Sequence, residues 1–295
     1  MMNAHESDIE RAYAQCRALT RQHYENFPIA SALLPSQVRR HMYALYGFAR
    51  GVDDAGDEFE GDRLARLDWW EAHLMAAFGR GEVPPGDHPA AFRALSQSHK
   101  ELDLPLDPFL RLIEANRRDQ RIKRYDSFDD LLEYCTFSAD PVGRLVLAVF
   151  GFRDEELYPF SDAVCTALQL TNFWQDVGRD YAMGRIYLPA EDLNRFSVSE
   201  DDLGHDSATD GFRDLLRFEV ERTREYFRRG QPLTRLVAGR FRIDLLLFSR
   251  GGESILDAIE AGGFDVLGKR PVLTPLKKGT LILSVLLRFL TGRTR

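Results

Sequence analysis

Apolar residues recur every three or four positions along most of the chain, which is the spacing of one buried face of an α-helix. Clusters of Gly and Pro, such as those at 79–81 and 84–86, separate these stretches, and we find no strand-like alternation. The pattern predicts an all-α protein with a short helix starting at Pro189 and longer ones, the first N-capped by Ser7, at about 7–22, 36–57, 64–78, 89–101, 107–119, 127–151, 155–181, 209–229, 232–262 and 274–291.

The composition is that of an ordinary globular protein. Its 295 residues are 44% hydrophobic and 29% charged, enough for one large helical domain or two ordinary ones. The net charge of −7 argues against a general nucleic-acid partner. Three well-separated cysteines argue against a disulfide framework or zinc site, and with a polar N-terminus they favour the cytoplasm. No apolar run reaches the roughly 20 residues of a membrane-spanning helix.

The last part of the chain differs in charge from the rest. Residues 268–295 contain seven basic residues and no acidic one, and removing these positive charges from the net −7 leaves −14. We therefore expect a main domain over 1–268 and a basic amphipathic helix over 269–295. That helix is either the last helix of the same domain or a peripheral contact with the inner face of the membrane.

One helix ends in a pair of aspartates. Asp53 and Asp57 are four residues apart, so both carboxylates leave the same helical face one turn apart. Two such carboxylates repel each other, and a divalent cation removes the repulsion. Magnesium suits this arrangement because it takes one or two carboxylates together with water and substrate phosphates.

A second helix repeats the pattern. Gln169, Asn172, Asp176 and Asp180 step by three, four and four residues and form a polar stripe on an otherwise apolar helix. Surface acidic turns are the alternative interpretation of each pair alone. The two pairs together favour two facing helices that hold magnesium and a diphosphate.

At these motifs the chain resembles the squalene/phytoene synthase family of trans-prenyltransferases, over roughly residues 20–265. The residues that carry the resemblance are Tyr46, Arg50, Asp53 and Asp57; Tyr134; Gln169, Asn172, Asp176 and Asp180; and then Arg185 and Tyr187. The resemblance implies a single-domain, all-α isoprenoid-synthase fold with a central cavity, in which residues 1–268 form the catalytic domain. It also implies a prenyl diphosphate substrate.

Three departures from the family pattern bear on the reaction. The segment from His23 through Asn26 and Phe27 replaces the family's H-S-x-S-F, Asp140 replaces a Gly, and Gln175 replaces the Arg before the second aspartate motif. Together they resemble the HpnC-type branch, the hydroxysqualene synthases of bacterial hopanoid pathways. That resemblance implies ionisation of presqualene diphosphate and capture of the cation by water, without NADPH.

The resemblance also assigns candidate roles. The expected metal ligands are Asp53, Asp57, Asp176 and Asp180, binding about two or three Mg²⁺ ions that bridge the diphosphate. The expected catalytic residues are Tyr46, Arg50, Tyr134, Gln169 and Asn172. The expected substrate-binding residues are His23, Asn26, Phe27, Asp140, Phe173, Gln175, Arg185 and Tyr187. Phe173 and Trp174 are equally well explained as core residues.

Two other functions stay open at this point. One is a synthase that condenses two prenyl diphosphates to presqualene diphosphate, phytoene or dehydrosqualene. The other is an inactive family member that serves as an assembly subunit, although all four aspartates are present. If the protein is a hydroxysqualene synthase, we expect a cytoplasmic enzyme, peripheral on the membrane, that takes its substrate from a presqualene diphosphate synthase.

Overall fold

The computed structural model describes residues 4–22, 34, 36–85 and 89–290, and the regular elements in these ranges are all helical. The first seven α-helices are α1 (Ala4–Gln22), α2 (Ser36–Asp57), α3 (Arg63–Ala77), α4 (Ala90–Leu102), α5 (Asp107–Arg121), α6 (Phe128–Ser138) and α7 (Asp140–Val149). The next seven are α8 (Tyr158–Gln175), α9 (Val177–Ala182), α10 (Ala190–Arg195), α11 (Asp210–Gly230), α12 (Leu233–Leu236), α13 (Gly239–Ala261) and α14 (Pro275–Leu290). Short 3-10 turns lie at Glu155–Leu157 and Asp201–Gly204.

The chain divides into two compact units. The first comprises residues 1–121 and 141–154, and the second comprises 122–140 and 155–295. The predicted division at residue 268 is untested by this partition and stays a prediction.

The core of the first unit is built on one face of α2. Its apolar residues recur at helical spacing and are buried: Met42, Leu45, Phe48, Val52 and Ala55. Phe48 is the centre of an aromatic cluster, with ring centroids 5.8 Å from Trp70, 6.2 Å from Phe92 and 5.1 Å from Phe109. Such edge-to-face pairs add to the free energy of apolar burial. This packing fixes the rotation of α2 and leaves its polar face outside the core.

The second unit is organised around α8, which packs against α6, α11 and α13. Trp174 near its end is fully buried, and its indole Nε1 donates to Thr223 Oγ1 on α11 at 2.7 Å. Of the two interpretations of Trp174, the structure therefore supports the core residue.

Most predicted helices are confirmed to within a few residues, and Pro189 is followed by α10 as expected. The first helix begins at Ala4, so the prediction of Ser7 as its N-cap was wrong. The predicted helix at 127–151 is two helices, because Pro141 has no N–H to donate to the preceding turn. The predicted helix at 232–262 is also divided, where Gly239 adopts a φ of +64°, a left-handed conformation that glycine tolerates best.

The predicted helix at 155–181 is interrupted as well. It starts with a 3-10 turn, runs as α8 to Gln175, and resumes as α9 after Asp176. Asp176 has φ −108° and ψ 13°, outside the helical range. The polar stripe predicted along one continuous helix therefore contains a bend at its third member. Among the described residues, no helix is both long and apolar enough to cross a membrane.

Candidate functional site

The first aspartate motif lies on the polar face of α2. Asp53 is held from a neighbouring helix, because Asn116 Nδ2 on α5 donates to Asp53 Oδ1 at 3.3 Å. Gly56 makes this contact sterically feasible, since a Cβ at that position would lie 2.4 Å from Asn116 Oδ1. Asn116 was missed by the sequence analysis. It occupies the buried face of α5 with Phe109 and Ile113, and a polar residue at that spacing was the available signal.

The electrostatic surroundings of Asp53 favour a bound cation. Its side chain is open to water beside α5, and partial desolvation together with the nearby carboxylates raises its pKa. Asn116 and Arg50 oppose the rise, while Asp57 and Asp54 add to it. The upward direction of this pKa shift follows from the mutual repulsion of three carboxylates, those of Asp53, Asp54 and Asp57, within five residues. A divalent cation would reverse that direction by neutralising the cluster.

Arg50 lies between acidic partners. Its Nη2 is 2.6 Å from Asp54 Oδ1 and 2.7 Å from Glu58 Oε1. Tyr46 lies two turns before Asp53, and burial raises the pKa of its hydroxyl. The guanidinium of Arg50 is thus held at the motif by Asp54 and Glu58, where a phosphate would have to replace or join these partners.

The second aspartate motif crosses the bend between α8 and α9. Gln169 and Asn172 lie on α8, Asp176 lies at the bend, and Asp180 lies one turn further on α9, its N–H donating to the Asp176 carbonyl at 2.8 Å. The backbone N–H of Arg185 donates to the Asp180 carbonyl at 2.9 Å, so Arg185 directly follows this turn.

Arg270 binds the second motif, although from the sequence it was only one of the basic residues of the tail. Its Nη2 donates to Asp176 Oδ2 at 2.9 Å and its Nε to Oδ1 at 2.5 Å, a bidentate pair. Nη2 also lies 3.3 Å from Gln175 Oε1. Gln175 is buried and donates from Nε2 to the Pro271 carbonyl. The segment after α13 therefore fixes the bend and places a guanidinium beside a predicted metal ligand.

Aromatic residues lie beside the second motif. The rings of Phe173 and Tyr187 stack with centroids 3.9 Å apart and planes within 12°. Tyr134 lies 6.2 Å from Phe173 and 5.9 Å from Tyr187, and Tyr125 is 5.6 Å from Tyr134. The structure thus brings three predicted site residues, Tyr134, Phe173 and Tyr187, into one cluster. Their π-faces could stabilise a carbocation by cation–π attraction.

Comparison with known proteins identifies the family. The squalene/phytoene synthase family profile matches residues 20–277. The chain belongs to the squalene/phytoene synthase family. It is 34% identical over 240 residues to a hydroxysqualene synthase from Zymomonas mobilis, covering 80% of this chain and 78% of that protein. It is 33% identical over 286 residues to a 15-cis-phytoene synthase from Synechocystis sp., covering 92% and 83%.

Solved structures show that this squalene/phytoene synthase family member has the isoprenoid-synthase helical fold. The squalene synthase HpnC from Alicyclobacillus acidocaldarius is 48% identical, with a TM-score of 0.81, covering 89% of this chain and 99% of that one. A dehydrosqualene synthase in complex with a ligand is 24% identical, with a TM-score of 0.87, covering 97% and 99%. The predicted fold class is confirmed.

Two of the three departures from the usual family pattern are buried, hydrogen-bonded side chains. Asp140, at the start of α7, is 7% exposed and accepts from Thr166 Oγ1 at 3.1 Å. Gln175 is 5% exposed and is bound to Arg270 and Pro271 as described. The third departure, with the predicted substrate-binding residues His23, Asn26 and Phe27, lies outside the described residues.

The donor set of this family member fits magnesium. Each motif offers two carboxylates one turn apart, and Asp57 and Asp54 add negative charge beside Asp53. Among the described residues, no group of three or more His, Cys, Asp or Glu is arranged to hold a metal ion. Magnesium typically takes one or two carboxylates and completes its octahedron with water and substrate phosphates. A pair at each motif is therefore sufficient when the diphosphate supplies the remaining oxygens.

Proposed function

We propose that this protein is a hydroxysqualene synthase that converts presqualene diphosphate and water into hydroxysqualene and diphosphate. The carbon–oxygen bond to the diphosphate breaks and the leaving group keeps the electron pair. The cyclopropylcarbinyl cation rearranges to the linear C30 skeleton, a water oxygen bonds to the cation, and a proton is released. No oxidant, reductant or NADPH enters this balance.

The observation that carries the proposal is the burial and hydrogen bonding of Asp140 and Gln175, two residues that depart from the usual family pattern. Both side chains are buried and hydrogen-bonded, so they are built parts of the second unit. In sequence they match the HpnC-type pattern, and the 48% identity to HpnC and the 34% identity to a hydroxysqualene synthase support the same assignment.

The residues of the site have distinct roles in this proposal. Asp53, Asp57, Asp176 and Asp180 would hold Mg²⁺, which would neutralise the charge that develops on the diphosphate leaving group. Arg50 and Arg185 donate charge-assisted bonds to phosphate oxygens, and Gln169 and Asn172 orient the same group. Tyr46, Tyr134, Phe173 and Tyr187 stabilise the cation by about 0.5–2 kcal/mol for each ring that faces it.

Gln175 and Asp140, together with Asn26, orient the water that captures the cation. The variant that carries both Gln175→Arg and Asp140→Gly restores the usual family residues and should yield less alcohol. An unchanged proportion of alcohol would exclude this role. Thr166→Val, which removes only the hydroxyl bound to Asp140, tests whether the effect depends on the orientation of that carboxylate.

Product analysis in ¹⁸O-labelled water tests the proposed reaction. Purified protein with presqualene diphosphate, Mg²⁺ and no reductant should give an alcohol without the cyclopropane ring, carrying ¹⁸O on carbon. A phosphatase would instead retain the ring and the unlabelled oxygen. Asp180→Asn should lower the rate by about 10²–10⁴-fold through weaker metal binding. The matched control Asp201→Asn changes an exposed aspartate on a 3-10 turn and should retain the rate.

A head-to-head condensing synthase is the second candidate, favoured by the 33% identity to a phytoene synthase over 92% of the chain. Parallel incubations with farnesyl and geranylgeranyl diphosphate distinguish the two. Consumption of either without added presqualene diphosphate would overturn our assignment. No turnover of all three substrates would favour the non-catalytic assembly subunit.

The membrane is the proposed location of the reaction, because substrate and product are long hydrocarbons. The presqualene diphosphate would come from a synthase at the same surface, facing the cytoplasm. The basic charge of residues 268–295 supports this location through attraction to anionic lipid.

A further inference from the structure

The second unit contains a cavity of about 540 Å³. It lies between the end of α11, α12, α13 and α14, and its lining includes none of the residues assigned to the diphosphate or the cation. Its volume is within the roughly 300–1,000 Å³ typical of small-molecule sites.

One part of the cavity is apolar. Phe227 of α11 and Val285 of α14 are 5% and 3% exposed, and Leu246 of α13 and Leu281 of α14 complete this wall. These four side chains come from three helices that meet at the cavity. Such a wall suits a hydrocarbon chain, whose burial contributes about 0.8 kcal/mol for each methylene.

The remaining part carries excess positive charge. Four basic residues line the cavity, and its two acidic residues, Glu253 and Asp257, are already paired with Arg250 at 3.0 Å and Arg224 at 2.9 Å. Arg235 and Lys277 are exposed and form no ion pair among the described residues. Residues 1–267 together carry a net charge of −14. Two cations without an ion-pair partner among the described residues, beside an apolar wall, are therefore a specific feature of this cavity.

We infer that this cavity binds an anionic amphiphile, with its hydrocarbon chain on Phe227, Leu246 and Val285 and its phosphate at Arg235 and Lys277. The same chemistry is offered by a membrane phospholipid and by a prenyl diphosphate. Leu276 and Leu283, which lie on α14 and are 78% and 58% exposed, favour the membrane source because they add apolar contacts beside the basic residues. Binding of such an amphiphile does not depend on the proposed reaction.

Binding of decyl phosphate to the full-length protein in EDTA tests the inference, since EDTA removes metal-dependent binding at the aspartates. Calorimetry should give one saturable site, with decyl glucoside binding at least tenfold more weakly. Arg235→Glu and Lys277→Glu, both at exposed positions, should each weaken decyl phosphate about tenfold. Lys278→Glu makes the same charge change on the next residue, which does not line the cavity, and should change affinity less than twofold.

Val285→Trp fills the apolar part and should abolish binding, with thermal unfolding as the check on folding. The source of the ligand follows from two further titrations in EDTA. Saturable binding of farnesyl diphosphate that Val285→Trp removes would identify a prenyl diphosphate. Binding to phosphatidylglycerol vesicles but not phosphatidylcholine vesicles, reduced by Arg235→Glu, would identify a phospholipid. No saturable binding of decyl phosphate, or an equal loss in Lys278→Glu, would overturn the inference.

Discussion

Replacing Arg270 with Ala should strengthen divalent-cation binding at the second aspartate motif. Arg270 occupies both carboxylate oxygens of Asp176, so a cation at Asp176 must displace this guanidinium or share the carboxylate with it. Removal of Arg270 also removes a positive charge from the position where a divalent ion would bind. Both consequences increase the affinity for the cation.

The size of the effect depends on the strength of the ion pair between Arg270 and Asp176. Their side chains are 39% and 17% exposed, so this bidentate pair lies between a surface ion pair of about 0.2–1 kcal/mol and a buried charged hydrogen bond of about 1.5–3 kcal/mol. A value of about 1–2 kcal/mol corresponds to a change of about five- to thirtyfold in cation affinity. The effect of Arg270→Ala on turnover should be the opposite. In the wild type the displaced guanidinium would bind diphosphate, so kcat/KM should fall in the variant.

Titration of the substrate-free protein with Mn²⁺, followed by the electron paramagnetic resonance of the free ion, measures this effect. Arg270→Lys keeps the charge but loses the planar fork, so its affinity should fall between wild type and Arg270→Ala. Lys269→Ala removes the adjacent basic residue, which is exposed, and serves as the matched control. Equal or weaker Mn²⁺ binding in Arg270→Ala, with an unchanged unfolding midpoint, would refute the competition between Arg270 and the cation.

Three further substitutions should alter stability, measured by urea unfolding. Gly56→Ala should lower the free energy of unfolding by about 1–3 kcal/mol because the new Cβ displaces Asn116. An unchanged midpoint would mean that α5 moves away from α2 without a cost in stability. Trp174→Phe should lower the free energy of unfolding by about 1–3 kcal/mol by removing the hydrogen bond to Thr223. A loss below about 0.5 kcal/mol, the lower end of the contribution of one hydrogen bond, would contradict this. Burial raises the pKa of Asp244 from 3.8 to about 7, and neither of its carboxylate oxygens has a hydrogen-bond partner among the described residues. The folded protein therefore binds more protons than the unfolded chain between about pH 4 and pH 7. As the pH rises through this window, the free energy of unfolding should fall by up to about 4 kcal/mol, and above pH 7 the contribution of Asp244 should stay constant. Asp244→Asn should remove this part of the slope, and an equal slope in the variant would exclude Asp244 as its origin.

The helices were predictable because their signals are local. The buried face of α2 follows from apolar residues at helical spacing, and the same spacing places Asp53 and Asp57 on the opposite face. The start of α10 after Pro189, with Glu191 in its first turn, was likewise predictable from local preferences. The family was also recognisable, since its motifs are short: the first lies within α2 and the second spans the adjoining α8 and α9.

The divisions within the predicted helices depend on weaker signals. Pro141 divides α6 from α7 because it lacks a donor, and this could have been inferred from the sequence. The bend at Asp176 could not, because no proline lies beside it and its apolar spacing continues. Its neighbours in space are Arg270 and Pro271, more than ninety residues later in the chain. A helical period reports which face is buried, but not which distant segment will bind its end.

The same limit applies to the electrostatics of the site. From sequence, Arg50 was expected only to be a catalytic residue of the first motif, whereas the structure gives it Asp54 and Glu58 as direct partners. The usual Arg before the second motif is Gln175 here, and the nearest guanidinium comes from Arg270 instead. A motif specifies charge along one helix, but the charge at the site also includes side chains delivered by the rest of the fold. The replacement of an Arg by Gln175 therefore leaves a positive charge at the motif, because Arg270 supplies one from the segment after α13.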